Sequence, residues 1–254
     1  MVPPCRAEHT KAVCRKRHGP FDEGGEPTVR SEDPPVTLKL YAHPFSSYCQ
    51  KALIALYENG TAFDWKMLSP EHPEIYAEFA DLWPLKRFPV LVDGKRVVTE
   101  ASTIIEHLQL YHPGPAPMLP AEPKAALEVR NLDRFFDNYI STPLQAIVGN
   151  ALRPGHEHDA YGVKQSTCVL DVAYGWLDRY MEGRTWAVGD TFSLADCGAA
   201  PSLFYADWTH PIDPAFTHVH AYRQRLLARP SFARAVDEAR PYRALFPLGA
   251  PDRD

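Results

Sequence analysis

The 254-residue chain has five cysteines, Cys5, Cys14, Cys49, Cys168 and Cys197, and no two of them are spaced as C-x-x-C. An odd, scattered set excludes a complete disulfide framework and a zinc ribbon, and it points to a reducing compartment such as the cytoplasm. No apolar run approaches the ~20 residues that a membrane-spanning helix needs. Charge of neither sign dominates: the formal net charge is −5, with both signs interspersed. The electrostatic case for nucleic acid or an anionic membrane as partner is therefore missing. The histidine pairs His156/His158 and His218/His220 lack a third ligand at metal spacing, so no metal is expected. What is present is ordinary globular composition, 45% hydrophobic and 23% charged, in a chain long enough to bury a substantial core.

Residues 1–36 stand apart. They hold Pro3, Pro4, Pro20, Gly24, Gly25, Pro27, Pro34 and Pro35 with scattered charge and no sustained apolar period. Such a segment buries too little surface to offset its ordering entropy, so it reads as a disordered extension. It has no apolar stretch of the secretory kind, and Glu8, Asp22, Glu23 and Glu26 count against a transit peptide.

Order is expected from Val36. Residues 36–41 alternate as a strand. A polar turn, His43-Pro-Phe-Ser-Ser47, leads into a helix over 48–58, stopped by Asn59-Gly60. A strand over 63–67 and a helix over 73–82 follow. Residues 89–92 and 96–99 flank Asp93-Gly94, the composition of a tight hairpin turn. A helix over 101–111 closes the unit, giving the order β-α-β-α-β-β-α over 37–113. The proline-rich stretch 114–122 reads as a linker. Beyond it, 123–243 reads as all helix, with a tail over 244–254. Leu127, Leu132, Phe135, Phe136 and Tyr139 mark a first helix, and Val169, Val172, Ala173, Trp176, Leu177 and Tyr180 a second, ended by Gly183. Ser193 and Asp196, at capping-box spacing, open a third. Two shorter helices are expected over 219–227 and 231–238.

Four motifs in register sharpen this order: Leu38-Lys-Leu-Tyr-x-His-Pro-x-Ser-Ser-Tyr-Cys-x-Lys-Ala52, Arg87-Phe-Pro-Val-Leu91, Thr99-Glu-Ala-Ser102, and Phe192-Ser-Leu-Ala-Asp196 with Arg229-Pro-Ser231. Together they resemble the cytosolic glutathione transferase family, in its serine-type branch near the zeta and theta classes. The resemblance implies an α/β thioredoxin-like glutathione-binding half and an all-α half, with glutathione as co-substrate and a homodimer.

It also implies roles for particular residues. Ser46 or Ser47, between a strand and a helix start, would hydrogen-bond the glutathione sulfur; the run Ser-Ser-x-x-x-Lys favours Ser46. A free thiol titrates near ~8.5, and lowering it by one unit takes roughly 1.4 kcal/mol, within reach of one hydroxyl donor plus a helix terminus. Pro89 would be cis and present the backbone of Phe88 to the ligand's cysteinyl unit. Glu100 would take the γ-glutamyl ammonium. The carboxylate beside it falls to Ser102 or to the N–H of Ala101, because Ala101 stands where the family carries serine. Lys86 or Arg87 would reach the glycyl carboxylate. Cys49 reads as a packing residue, with glutathione-dependent redox chemistry as the alternative. Asp196 is assigned to folding. Phe135, Phe136, Tyr139 and Trp208 read as core, with one or two of them lining a second-substrate pocket.

Three functions follow from these residues: a detoxifying transferase acting on a small electrophile, a zeta-type glutathione-dependent isomerase or dehalogenase, and a non-catalytic interaction module. Tyr48 stands where the zeta class carries cysteine, which weighs against the second.

Overall fold

A computed structural model describes residues 38–254, and the expected extension lies outside the described residues. The first half holds β1 (Lys39–Ala42), α1 (Ser47–Glu58), β2 (Asp64–Met67), α2 (Pro73–Leu82), β3 (Val90–Asp93), β4 (Arg96–Thr99) and α3 (Ala101–Tyr111). The sheet order is β2-β1-β3-β4, with β1 parallel to β2 and antiparallel to β3, and β3 antiparallel to β4. The hairpin turns through Gly94 at φ 58°, a left-handed conformation that glycine adopts without steric cost. One sheet face packs Leu40, Ala42, Leu91 and Val98 against Leu53 and Leu56 of α1 and Ile104 and Leu108 of α3. The other packs Tyr41 and Val90 against Phe79 of α2. Alternate strand residues thus feed two helical layers, the arrangement of a thioredoxin-like unit.

The second half is helical: α4 (Pro123–Phe135), a π-helical segment (Phe136–Ser141), α5 (Thr142–Ala151), α6 (Ala160–Met181), α7 (Leu194–Thr209), α8 (Thr217–Leu227) and α9 (Pro230–Ala239). Its core centres on α7, which is buried along nearly its whole length, and takes in Ile54, Ala55 and Ile105 from the other half. One apolar interior therefore runs from α1 and α3 into the bundle. The single first helix expected through Tyr139 is instead α4, a wide π turn and α5. Pro143 sits at the second position of α5, directly after the π turn, where Thr142 N still donates to Asp137 O. Tyr139 is corrected as well: it is 54% exposed, and so are Leu127 at 67% and Val172 at 73%. Tyr139 lies on the π turn beside the Phe135 ring, at 5.8 Å, and helical spacing alone cannot tell which stripe of α4 or α6 meets a neighbour. Phe136 and Trp208 are buried as expected, while Phe135 packs half-buried against Trp176.

Between the halves lies a buried charge cluster. Lys51 of α1, 2% exposed, places Nζ 2.6 Å from Asp133 Oδ1 and 2.9 Å from Asp137 Oδ1 of the α4–π segment. Asp133 Oδ2 also accepts from Ser102 Oγ at 2.8 Å and from Arg134 at 2.6 Å. Gly198 of α7 faces this cluster: a Cβ there would come within 3.2 Å of Asp133 Oδ1 and 3.5 Å of Lys51 Nζ. At the far end of α1, Arg229 makes a two-pronged bond to Glu58 at 2.7 and 2.6 Å. Asp196 anchors α7 from within, accepting from the backbone of Ala187 and Ser193, from Ser193 Oγ and from Tyr222 Oη, while burial raises its carboxyl above the usual range. Its role is structural, since its two oxygens are taken up by the helix start it caps, by the Ala187 backbone and by Tyr222 of α8.

Candidate functional site

The N-terminal ends of α1 and α3 and the turn before β3 converge on one cleft of about 670 Å³. Its polar end is lined by Ser46, Ser47, Tyr48, Lys86, Arg87, Phe88, Pro89, Glu100 and Ala101. Eight of the nine residues expected to bind or activate a ligand thus face one volume, Ser102 being the exception.

Ser46 is the N-cap of α1, and its Oγ accepts from Cys49 N at 3.4 Å. An acceptor role leaves the hydroxyl proton free to be donated into the cleft. Ser47 is buried, and its Oγ has no hydrogen-bond partner among the described residues. Both hydroxyls sit at the positive end of a twelve-residue helix, where a developing anion is favoured. Cys49 is fully buried, and burial pushes its thiol up to about 12. A thiol so protonated is a packing group, as its place in the α1–sheet interface shows.

The Phe88–Pro89 peptide bond is cis, and Phe88 remains 38% exposed beside the cleft. Glu100 precedes α3 at φ 66° and ψ 121°, and its side chain makes no capping bond to that helix. A non-glycine residue at positive φ is costly, by about 1–3 kcal/mol, and such residues cluster where a side chain must be aimed at a ligand. Ala101 follows at the first helical position. Ser102 is a different matter: it does not line the cleft, and its hydroxyl is engaged with Asp133 and Arg134.

The cleft contains groups the sequence reading did not single out. Arg134 and Asp137 come from the far side of the interface and line the same volume. Burial, reinforced by the nearby Asp137 charge, raises the Tyr48 hydroxyl above its usual range. The signal for Asp137 was Lys51 itself, since a lysine in the apolar α1–α7 interface requires a carboxylate partner. The opposite end of the cleft is largely apolar: Leu144 and Val148 of α5, Leu152 just after it, Tyr205 of α7, and Phe246 and Pro247 of the tail. Phe45 stacks edge-on against Tyr205 where the two ends meet.

Comparison with known proteins gives the lineage. Residues 40–116 match the family model "Glutathione S-transferase, N-terminal domain", and residues 148–230 match "Glutathione S-transferase, C-terminal domain". The chain belongs to the glutathione S-transferase family. Among its relatives is the stringent starvation protein A homolog of Coxiella burnetii, 26% identical over 80% of this chain and 92% of that protein. Another is FtsZ-localized protein A of Caulobacter vibrioides, 28% identical over 78% of this chain and 90% of that one. A solved glutathione S-transferase of Methylobacterium radiotolerans, in complex with glutathione sulfonate, superposes with a TM-score of 0.69 at 28% identity, over 79% of this chain and 94% of that chain. No helix among the described residues is long and apolar enough to cross a membrane.

Proposed function

We propose that this protein is a glutathione transferase that binds glutathione at the polar end of the cleft and stabilises its thiolate for attack on a small electrophile held at the apolar end. The observation that carries this reading is convergence. A free hydroxyl donor at a helix N-terminus, the backbone before a cis proline and an acid on a strained helix cap all face one volume. In this reading Ser46 donates to the sulfur and the α1 terminus adds its positive end. Together these lower the thiol's pKa, so that more of the bound ligand is in the nucleophilic thiolate form at neutral pH. The Phe88 backbone pairs with the cysteinyl unit. Glu100 and Asp137 take the ammonium of the γ-glutamyl group, the N–H of Ala101 takes its carboxylate, and Lys86 or Arg87 takes the glycyl carboxylate. The protein forms no covalent bond; its contribution is positioning, desolvation and the acidity of the sulfur. A homodimer in the cytoplasm is the expected form.

Calorimetric titration with glutathione, combined with the ultraviolet absorbance of the bound thiolate, tests the assignment. Glu100→Ala is expected to weaken binding at least tenfold. Ser46→Ala is expected to retain binding but lose the thiolate absorbance and shift the pH–rate profile upward. If Ser47→Ala does this and Ser46→Ala does not, the sulfur contact belongs to the buried hydroxyl. A wild-type protein that does not bind millimolar glutathione overturns the proposal.

A second reading, an interaction module, is favoured by one finding: two of the relatives above carry names that denote starvation response and FtsZ localisation rather than transfer chemistry. Glutathione binding without conjugation of any small electrophile would support it.

A further inference from the structure

On the other side of the hairpin, Asp93, His107 and His112 form a cluster that the glutathione site does not use. Asp93 ends β3, His107 lies on the last turns of α3, and His112 is the residue that caps that helix. Asp93 Oδ2 sits 2.9 Å from His107 Nε2 and 2.8 Å from His112 Nε2. The ligand atoms of all three lie within 4.8 Å of one another. His107 is buried, while the Asp93 and His112 side chains are 15% and 30% exposed, so the cluster opens to solvent on one side.

We infer that Asp93, His107 and His112 form a binding site for a divalent transition metal of the zinc type. One carboxylate oxygen and two imidazole nitrogens are a borderline-soft set that suits zinc and its neighbours, and that magnesium and calcium disfavour. Without an ion both Nε2 atoms donate to one Asp93 oxygen, so metal binding replaces those two protons and leaves each ring in its Nδ1–H form. Tetrahedral ligands at zinc distances of about 2.0–2.1 Å lie roughly 3.3 Å apart, so seating the ion asks each imidazole nitrogen to move about half an ångström from the Asp93 oxygen. The open side leaves the fourth position to water.

The surroundings add one opposing charge. The Arg96 guanidinium stacks over the Tyr111 ring at 4.2 Å, and that ring in turn packs on His107 at 4.5 Å. The aromatic ring separates this cation from the ligands. Bound metal would tie the hairpin to the C-terminal end of α3, the helix that presents Glu100 and Ala101 to the cleft at its other end. The sequence reading expected no metal because it considered only closely spaced histidine pairs. Here the third ligand comes from a hairpin fourteen positions upstream of His107.

The test is titration of chelator-treated, full-length protein with zinc chloride in thiol-free buffer, by calorimetry and by thermal melting, with cobalt(II) as a spectroscopic probe. One ion per chain is expected, with a rise in Tm and cobalt d–d bands lacking thiolate charge transfer. His112→Ala, at a half-buried position, and Asp93→Asn should each weaken binding at least tenfold and abolish the Tm shift. The pair His156→Ala/His158→Ala should leave both intact. Absence of saturable zinc binding in the folded wild type overturns the inference. So does a thiolate band in the cobalt spectrum, or binding unchanged in both His112→Ala and Asp93→Asn. Glutathione binding is measured separately, so its failure leaves this result standing.

Discussion

Replacing Lys51 with methionine keeps most of the buried stem and removes only the charge. The ammonium is then lost from Asp133 at 2.6 Å and from Asp137 at 2.9 Å. Asp133 stays 1% exposed, with Ser102 and Arg134 on its second oxygen and nothing charged on its first. Breaking a buried pair from one side costs about 3–5 kcal/mol, because a desolvated charge is left behind. Against a total stability of about 5–15 kcal/mol this is a large fraction. At about 2–4 °C per kcal/mol for a chain of this size, Tm should fall by roughly 6–20 °C. Asp133→Asn alone should also destabilise. The double variant should fall short of the sum by about 2 kcal/mol, since the two groups are in contact. Urea unfolding followed by circular dichroism and by tryptophan fluorescence measures all three, and an unchanged m-value shows that the same transition is being compared. A Lys51→Met loss below about 1 kcal/mol, or strict additivity in the double variant, would refute the claim that this pair holds α1 against the helical half.

Ser193→Ala should cost about 0.5–2 kcal/mol, toward the upper end because Asp196 is fully buried and loses its Oγ donor; urea midpoints at neutral pH check this. Asp93 has a carboxyl held below its usual range by the His112 and His107 bonds, against an opposing effect of burial. Its contribution is therefore present above the ordinary value of ~3.9 and is lost as pH falls through the depressed one. In metal-free buffer Asp93→Asn should lower stability at pH ~7 and flatten the further loss between pH ~4 and ~2; an equal deficit at both ends would contradict this. Val148→Ala/Leu152→Ala trims the apolar end of the cleft. It should narrow the affinity gap between S-hexylglutathione and glutathione by about 1–2 kcal/mol, roughly five- to thirtyfold, while leaving glutathione itself unchanged.

The first half was legible because its boundaries are local. Asn59-Gly60 stops α1, Asp93-Gly94 turns the hairpin, and the expected and observed limits of α2 and α3 coincide. The polar end of the cleft was legible for the same reason, since each of its residues sits at an element terminus. What was not legible depends on distance along the chain. Ser102 follows Glu100 in a motif that reads as ligand-binding, yet its hydroxyl is drawn to Asp133, thirty-one residues on. Tyr139 has the spacing of a core residue but lies on a π turn that rotates it outward. Asp137 reaches the cleft from the π segment, eighty-six residues on from the Lys51 it pairs with.

Gly198 shows how this architecture restricts its own drift. Its backbone is ordinary α7, so glycine is needed there for space rather than conformation. The missing Cβ would press on a carboxylate already fixed by Lys51, Ser102 and Arg134, which cannot easily give way. Positions 51, 133 and 198 are therefore coupled through space. An alanine at 198 asks Asp133 to shift by a few tenths of an ångström, and a carboxylate held on both oxygens resists that shift more than a small neutral side chain would. The room that a side chain has at one position is thus set by partners far away in the chain.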